Sequence, residues 1–373
     1  MILSAIFWIQ IVSALSFEDD FIVDNEYCLR AGNGDLSCFK YIGNGGKGKT
    51  AIGIMEIEYN GEKFALKLED WKEPDFNIET PSSSENYKKG IGMEAKVYLE
   101  LKLSGYYNSG SSSSGFARML SYGILLGSDH KPVTVQKKGE FRFVAGIIIT
   151  LLERVLPAEL NIDKAKIVYN SLSSSLAILR NIGYYYQDIK RLNMMVDGSK
   201  YYLVDLGSSV PYDKFDGATP TKDISATYGS SYALKSDGTK VNASDQLEMT
   251  LYLMMELLSG KQVWWVEVKN KVQSHYKSKG TTFDIWSRHL FKAMSVFHDL
   301  LMRNPGLLFD GYSEYKYEFT TDHGQIVQQV FESLKEDASL NLKTEISKYD
   351  EAWLIEIVYE LQQNRKKTNP DSK

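Results

Sequence analysis

The segment that decides the fold reads Tyr-Gln-Asp-Ile-Lys-Arg-Leu-Asn and occupies residues 186–193. An amphipathic helix is predicted before it, over residues 162–182, and two short strands are predicted after it. The second strand runs into Asp205-Leu206-Gly207. The chain therefore places two carboxylates, Asp188 and Asp205, and the amide of Asn193 at the ends of regular elements, where functional polar groups commonly lie.

Upstream, glycines recur as Gly43-x-Gly45-x-x-Gly48 directly after a mostly apolar run that ends with Phe39-Lys40-Tyr41-Ile42. Glycine lets the backbone approach a phosphate closely and aim its N–H groups at it. A dinucleotide-binding loop of this kind is followed by a helix. Here residues 52–59 read as a strand and lead to Asn60-Gly61, a pair typical of a tight hairpin turn. The pattern therefore favours a strand–loop–strand arrangement.

The strand after that turn contains Phe64-Ala65-Leu66-Lys67, and a helix predicted over residues 92–103 carries Glu94 as the candidate partner of Lys67. Residues 73–89 and 104–115, rich in Ser with prolines in the first, are predicted to be surface loops. Another strand is predicted over residues 141–152. Later helices are predicted over residues 247–258, 283–303, 324–336 and 348–364. Strands therefore dominate the first part of the chain and helices the second.

These motifs, in this order, resemble those of the protein kinases. Lys67 ends a segment similar to Val-Ala-Ile-Lys, and Asp188 and Asn193 keep the spacing of H-R-D-x-x-x-x-N. Asp-Leu-Gly lies at the place of the D-F-G motif. Within that superfamily the chain is similar to the casein kinase 1 group. The matching segments are Glu-Ala-Lys-Val-Tyr at 94–98, Asp-Ile-Lys at 188–190 and Asp-Gln-Leu-Glu at 245–248. The resemblance covers roughly residues 39–265.

The resemblance implies an α+β, bilobal protein kinase-like fold, with a β-rich N-lobe over residues 39–152 and a helical C-lobe over 153–373. It implies ATP and Mg²⁺ as cofactors. The implied catalytic residues are Asp188, Lys190, Lys67 and Glu94, of which Asp188 accepts the proton of the substrate hydroxyl. The implied ATP-binding positions are Gly43, Asn44, Gly45, Gly48, Lys67 and the backbone of Thr150 and Leu152. The implied metal ligands are Asn193 and Asp205.

Four positions depart from the pattern of the resembled group. Tyr186 and Gln187 replace its His and Arg, which implies activity that does not need a phosphorylated activation loop. Gln246 stands where the group has the aspartate that braces the catalytic loop, and Asp245 lies one residue early. Ser231 replaces an arginine that helps the group to recognise a phosphate already present on the substrate. A preference for such primed substrates is therefore not expected.

Composition excludes some classes of partner. The chain has 373 residues, a formal net charge of -5 and a sequence pI near 5.7. Nucleic acid is therefore not expected as the main partner, because phosphate backbones favour basic surfaces. Its two cysteines, Cys28 and Cys38, lack the C-x2-C spacing of a zinc site. The expected partner is a protein substrate with a Ser or Thr hydroxyl, and the oligomeric state is left open.

Residues 1–16 carry no charge, are mostly apolar and precede an acidic segment. They are predicted to be a signal peptide cut after Ser16, followed by an extension over residues 17–38. A buried N-terminal helix or an uncleaved membrane tether is the alternative; after cleavage no stable membrane anchor is expected. Export predicts a protein found outside the cell, in the secretory pathway or in a host cell. Cys28 and Cys38 could then pair, and two free thiols are the equal alternative.

Two functions remain open at this stage. The first is a secreted, casein kinase 1-like Ser/Thr protein kinase that transfers the ATP γ-phosphate to protein hydroxyls. The second is a secreted pseudokinase that binds nucleotide or protein without turnover. A small-molecule kinase of the same fold is disfavoured by the casein kinase-like segment at 245–264.

Overall fold

The structure is a computed structural model that describes residues 25–46, 53–78, 85–106, 115–137, 139–235, 237–310, 319–335 and 345–368. The predicted signal peptide and Gly48 lie outside the described residues. The chain divides into two compact units. The first comprises Met1–Arg154 with Val196–Ser209, and the second comprises Val155–Met195 with Val210–Lys373.

Among the described residues of the first unit, seven strands form one antiparallel sheet. They are β1 (Glu26–Arg30), β2 (Leu36–Gly46), β3 (Gly53–Tyr59), β4 (Glu62–Trp71), β5 (Met119–Leu126), β6 (Thr134–Lys137) and β7 (Glu140–Thr150). The strand order is β4-β3-β2-β1-β5-β7-β6, and β4 also pairs with β7. Six strands therefore close into a ring, which leaves them without the unpaired edges of an open sheet.

Strand β1 closes this ring, because it pairs with β2 on one side and β5 on the other. It lies within residues 17–38, which the sequence predicted to be an extension. Cys28 and Cys38 face each other in the β1–β2 register and are joined by a disulfide with an S–S distance of 2.05 Å. Of the two alternatives for the cysteines, a disulfide or two free thiols, the structure has the disulfide. The core beside them contains Leu29, Ile57, Leu66 and Val144, which are fully buried.

The hairpin predicted at Asn60-Gly61 is confirmed. Both residues have positive φ, 53° at Asn60 and 80° at Gly61, as a tight turn between twisted strands requires. The turn starts β4, which carries Lys67 toward its centre. Helix α1 (Gly90–Leu103) follows and presents Glu94 from a buried face. The strand predicted over 141–152 is β7.

The second unit is mainly helical. Its helices are α2 (Ile162–Asn181), α3 (Ala243–Ser259), α4 (Val266–Lys277), α5 (Phe283–Arg303), α6 (Pro305–Asp310), α7 (Asp322–Lys335) and α8 (Lys348–Thr368). Helix α3 is buried on nearly every side, as its apolar sequence predicts. Asn242 begins it with a capping box and Gly260 ends it at φ 66°. The α+β fold class is confirmed.

The remaining short strands flank the predicted catalytic segment. They are β8 (Arg154–Val155), β9 (Tyr184–Tyr186), β10 (Met194–Asp197), β11 (Lys200–Leu203), β12 (Ser209–Asp213) and β13 (Gly217–Ala218). Within the described residues, no helix has both the length and the apolar character needed to cross a membrane.

Candidate active site

In the first unit, Lys67 lies at the centre of a cluster of carboxylates. Strand β4 pairs it with Ile54 of β3 and Ile147 of β7, so its backbone is fixed on both sides. Its Nζ lies 2.6 Å from Glu94 Oε2 and 2.6 Å from Asp205 Oδ1. The structure therefore brings together three residues that the sequence separates by up to 138 positions.

Burial and charge act against each other in this cluster. Lys67 is 7% exposed and Glu94 is 1% exposed. Burial raises the pKa of Glu94 to about 7, although the attraction of Lys67 opposes that change. Burial alone would lower the pKa of Lys67, but the nearby carboxylates outweigh it and the pKa is raised. The lysine is therefore held as a cation, which is the form that can neutralise a phosphate.

The backbone at Asp205 is in an uncommon conformation. Its φ of 57° and ψ of 55° lie in the left-handed region, which is unfavourable for a residue with a Cβ. Such conformations cluster at functional sites. The Asp205 side chain is 41% exposed while its Oδ1 contacts Lys67. The carboxylate is thus both anchored to the lysine and accessible to a ligand.

The glycine-rich segment forms the end of β2. The pairing of β2 with β3 shifts register between Tyr41 and Gly43 and again between Asn44 and Gly46. Each shift marks a bulge or another irregularity of the strand pairing. An added Cβ at Gly43 would meet no described atom within 4 Å. Gly43, Asn44 and Gly45 therefore lie on an irregular strand end, where no described residue fills the space beside Gly43.

The predicted adenine-binding segment follows the end of β7. Thr150 N–H donates to the Arg118 carbonyl at 3.0 Å, so the sheet uses this donor. The group that Thr150 can offer to an adenine is consequently its carbonyl. Leu152 lies two residues beyond the strand and is 7% exposed. The hinge role of both residues stays a prediction.

In the second unit, the Asp188 carboxylate is held by the two residues predicted with it. Lys190 Nζ donates to Asp188 Oδ2, and Asn193 Nδ2 donates to the same oxygen at 3.0 Å. Asn193 Nδ2 also contacts the Asp188 carbonyl at 3.0 Å. Because both side-chain contacts use Oδ2, Oδ1 is the oxygen to which a substrate hydroxyl can donate.

The two residues that replace His and Arg have specific contacts of their own. The Tyr186 hydroxyl accepts a hydrogen bond from Asn193 Nδ2 at 2.7 Å, which helps to orient that amide. Gln187 Oε1 accepts the N–H of Thr221 at 3.0 Å, and its Nε2 donates to the Thr221 hydroxyl. The neutral Gln187 side chain thus holds Thr221, in the segment after Asp205-Leu206-Gly207, by hydrogen bonds that involve no phosphate group.

Gln246, which stands where the resembled group has its bracing aspartate, makes a bracing contact of its own. Gln246 Nε2 donates to the Tyr186 carbonyl at 2.9 Å, and Gln246 Oε1 accepts from Arg180. Asp245 contacts other groups, namely the Ser230 hydroxyl and the Asn242 backbone N–H. Gln246 itself therefore braces the catalytic segment, with an N–H donor where a carboxylate would offer only acceptors.

Ser231 lies in a buried polar cluster rather than on a substrate-facing surface. It is 0% exposed, and its N–H donates to Glu248 Oε1 at 2.9 Å. Arg365 of helix α8 donates to Glu248 Oε2 and lies 4.9 Å from the Tyr232 ring centre. The C-terminal helix thus compensates the buried Glu248 charge beside residues 230–232.

Mg²⁺ is a hard cation that prefers carboxylate and amide oxygens as ligands. The hydrogen bonds that the structure gives the Asn193 side chain all use Nδ2, so its Oδ1 is the atom left for a cation. Asp205 supplies a carboxylate that is accessible to a ligand. Asn193 and Asp205 therefore fit the ligand types predicted for them.

Several residues of this site were missed by sequence reasoning. Glu69 lies 3.7 Å from Lys67, Arg180 contacts Gln246, and Thr221 contacts Gln187. The sequence did indicate that Glu69 lies on the same strand face as Lys67, because residues two apart on a strand share a face. The sequence also indicated a charged or polar partner for Glu248, since a carboxylate inside an apolar helix requires one.

No known family profile matches the chain, and no curated protein matches it. Among solved structures, the chain is similar to one described as the structure of vaccinia related kinase 3. That alignment has 14% sequence identity and a TM-score of 0.49, and it covers 95% of this chain and 96% of the other. The interpretation of the site rests on its own residues and contacts.

Proposed function

We propose that this chain is a secreted Ser/Thr protein kinase of the casein kinase 1 type, which transfers the γ-phosphate of ATP to hydroxyl groups of protein substrates. The observation that carries the proposal is the contact of Lys67 Nζ with both Glu94 and Asp205 at 2.6 Å. Buried ion pairs add little net stability, because desolvation offsets their attraction. A buried lysine between two carboxylates therefore supports a chemical role over a structural one.

In the proposed reaction, the substrate hydroxyl oxygen attacks the γ-phosphorus and the bond to the bridging oxygen breaks, so ADP leaves. Asp188 orients the hydroxyl and accepts its proton. Lys190, which contacts Asp188, supplies positive charge close to that carboxylate. Lys67 neutralises charge on the ATP phosphates, and Glu94 holds the Lys67 ammonium group. Mg²⁺, with Asn193 and Asp205 as its ligands, would neutralise further negative charge.

The assay that tests this proposal uses the purified chain beginning at Phe17, γ-labelled ATP, Mg²⁺ and a panel of acidic and basic proteins. We expect label on Ser and Thr residues of at least one protein. The Asp205→Ala variant, assayed in parallel, is expected to transfer none. Label no higher than in this variant, with nucleotide binding retained, would favour a pseudokinase and overturn the proposal.

Secretion is supported by the apolar residues 1–16 and by the Cys28–Cys38 disulfide, a bond that persists mainly in oxidising compartments. N-terminal sequencing of protein from a secreting host tests it. The expected mature chain begins near Phe17. Finding Met1 on protein from the cytosol would contradict the proposal.

A further inference from the structure

Glu69 is a buried carboxylate beside the proposed active site to which the proposed reaction assigns no role. It lies two residues after Lys67 on β4, so both side chains are on the same face of the strand. Glu69 is 8% exposed, and its Oε1 lies 3.7 Å from Lys67 Nζ. A buried carboxylate charge destabilises the folded state unless hydrogen bonds or opposite charges compensate it.

The second oxygen of Glu69 contacts helix α1. Glu69 Oε2 accepts the N–H of Ile91 at 2.9 Å, in a buried hydrogen bond. Helix α1 has no side-chain cap from Lys89 and no acidic residue in its first turn. Glu69 therefore satisfies one of the free N–H groups at the helix start and places negative charge at its positive end. One carboxylate thus links the strand of Lys67 to the helix of Glu94.

Two glycines make this contact possible and extend it. Gly90 has φ 61°, and a Cβ there would lie 2.6 Å from Glu69 Oε2. A Cβ at Gly207 would lie 2.8 Å from the Gly90 carbonyl oxygen. At Gly90 the positive φ disfavours a residue with a Cβ, and at Gly207 the Gly90 backbone leaves no room for one. Gly90 is therefore packed between Glu69 and the glycine of the Asp-Leu-Gly segment.

We propose that Glu69 is a positioning residue that holds the start of α1 where Glu94 can pair with Lys67. The inference rests on the proposed kinase function and concerns how that function is regulated. With Glu69 and the Gly90–Gly207 packing in place, the Lys67–Glu94 pair is part of the folded first unit. No phosphorylation or partner protein is then needed to bring α1 into position.

The test compares Glu69→Ala, Glu69→Gln and Glu62→Ala in the full mature chain. Glu62→Ala is the matched control, because Glu62 is an exposed glutamate at the start of the same strand. Glutamine keeps an oxygen that can accept the Ile91 N–H, whereas alanine does not. Leaving that buried donor unpaired should lower kcat about tenfold or more in Glu69→Ala. Glu69→Gln should recover most of the loss, and Glu62→Ala should match the parent.

Hydrogen exchange provides a readout that does not depend on catalysis. In Glu69→Ala, the amides at Ile91 and through the first turns of α1 should exchange about tenfold faster, while those of β5 and β7 stay unchanged. Equal acceleration throughout the sheet would show a merely structural role and overturn the inference. Unchanged exchange in α1 would overturn it as well. If the parent transferred no phosphate but Glu69→Ala still showed the local acceleration of exchange, the proposed function would be refuted and the role of Glu69 kept.

Discussion

Gln246 Nε2 donates a hydrogen bond to the Tyr186 backbone carbonyl at 2.9 Å, and both groups are buried. The contact ties the first turn of helix α3 to strand β9, which leads into the predicted catalytic segment. Arg180 holds the other end of the same amide. The side chain that departs from the resembled family is therefore the one that fixes the segment in this chain.

The variant Gln246→Asp should lower kcat. Aspartate cannot donate to the Tyr186 carbonyl, and it would place a negative charge near that oxygen in a buried setting. Loss of one buried hydrogen bond with an acceptor left unpaired costs about 1–3 kcal/mol, so stability should fall as well. Steady-state kinetics and urea denaturation measure both effects. An increase in kcat would show that the resembled family's aspartate suits this loop better and would contradict the bracing role.

The variant Lys67→Arg should lose phosphoryl transfer while keeping most of the stability. Arginine keeps the positive charge that Glu94 and Asp205 require, but its planar head cannot take the same position. A displacement of about 1 Å can cost roughly two orders of magnitude in rate. Lys67→Ala is less informative, because it leaves a buried carboxylate without its partner.

Lys63→Arg is the matched control, since Lys63 is a lysine of the same strand that pairs with Glu56 at the surface. It should transfer phosphate at the parental rate. If Lys67→Arg did so too, Lys67 would not contact the phosphates.

Phosphatase treatment should leave the activity nearly unchanged. The segment near Thr221 is held by neutral hydrogen bonds from Gln187, which need no phosphate. The measurement is the initial rate before and after treatment, with the phosphorylation state checked by mass spectrometry. A large decrease that maps to a site between Asp205 and Asp237 would contradict this prediction.

His298 should make the stability of the fold depend on acid pH. It is fully buried, and burial lowers its pKa to about 4 from an ordinary value of 6.5. Because the folded pKa is the lower one, the unfolded chain takes up the proton first as the pH falls. The stability is therefore present above pH 6.5 and is lost as the pH falls toward 4. The difference corresponds to roughly 3 kcal/mol.

The measurement is the free energy of unfolding between about pH 4.5 and 7, compared between the parent and His298→Asn. Asparagine can still donate to the Gly229 carbonyl, which His298 Nδ1 contacts at 2.7 Å. The variant should show a weaker loss of stability toward acid. Other buried groups, such as Asp245 with a pKa of about 6, are common to both proteins. Parallel pH curves would contradict the prediction.

Much of the fold follows from local pattern. Helix α5 was predicted at residues 283–303 and is found there, because its apolar face repeats at helical spacing over five turns. Strand β1 could not be recognised in the same way. It has five residues, and its place depends on pairing with the neighbouring β2 and with β5, which lies far along the chain. Helices α4 and α6 were also missed.

The site was predictable as a set of residues but less so as a set of contacts. The Lys67–Glu94 pair joins elements whose order and type the sequence indicates. The role of Gln246 was not predictable, because it depends on which backbone carbonyl the folded chain brings to its amide. The same holds for Glu69, whose contact with Ile91 requires the positive φ of Gly90.

The most direct test of the account is the variant Asp188→Asn, measured for kcat and for ATP affinity. The nucleotide contacts assigned to Lys67 and the glycine segment are unchanged by it, so ATP affinity should stay close to that of the parent. Loss of the proton-accepting carboxylate should lower kcat by about 10²- to 10⁴-fold. Asp163→Asn, at an exposed aspartate of α2, should change neither value. An Asp188→Asn variant that kept the parental kcat would contradict the assignment of Asp188 as the catalytic base.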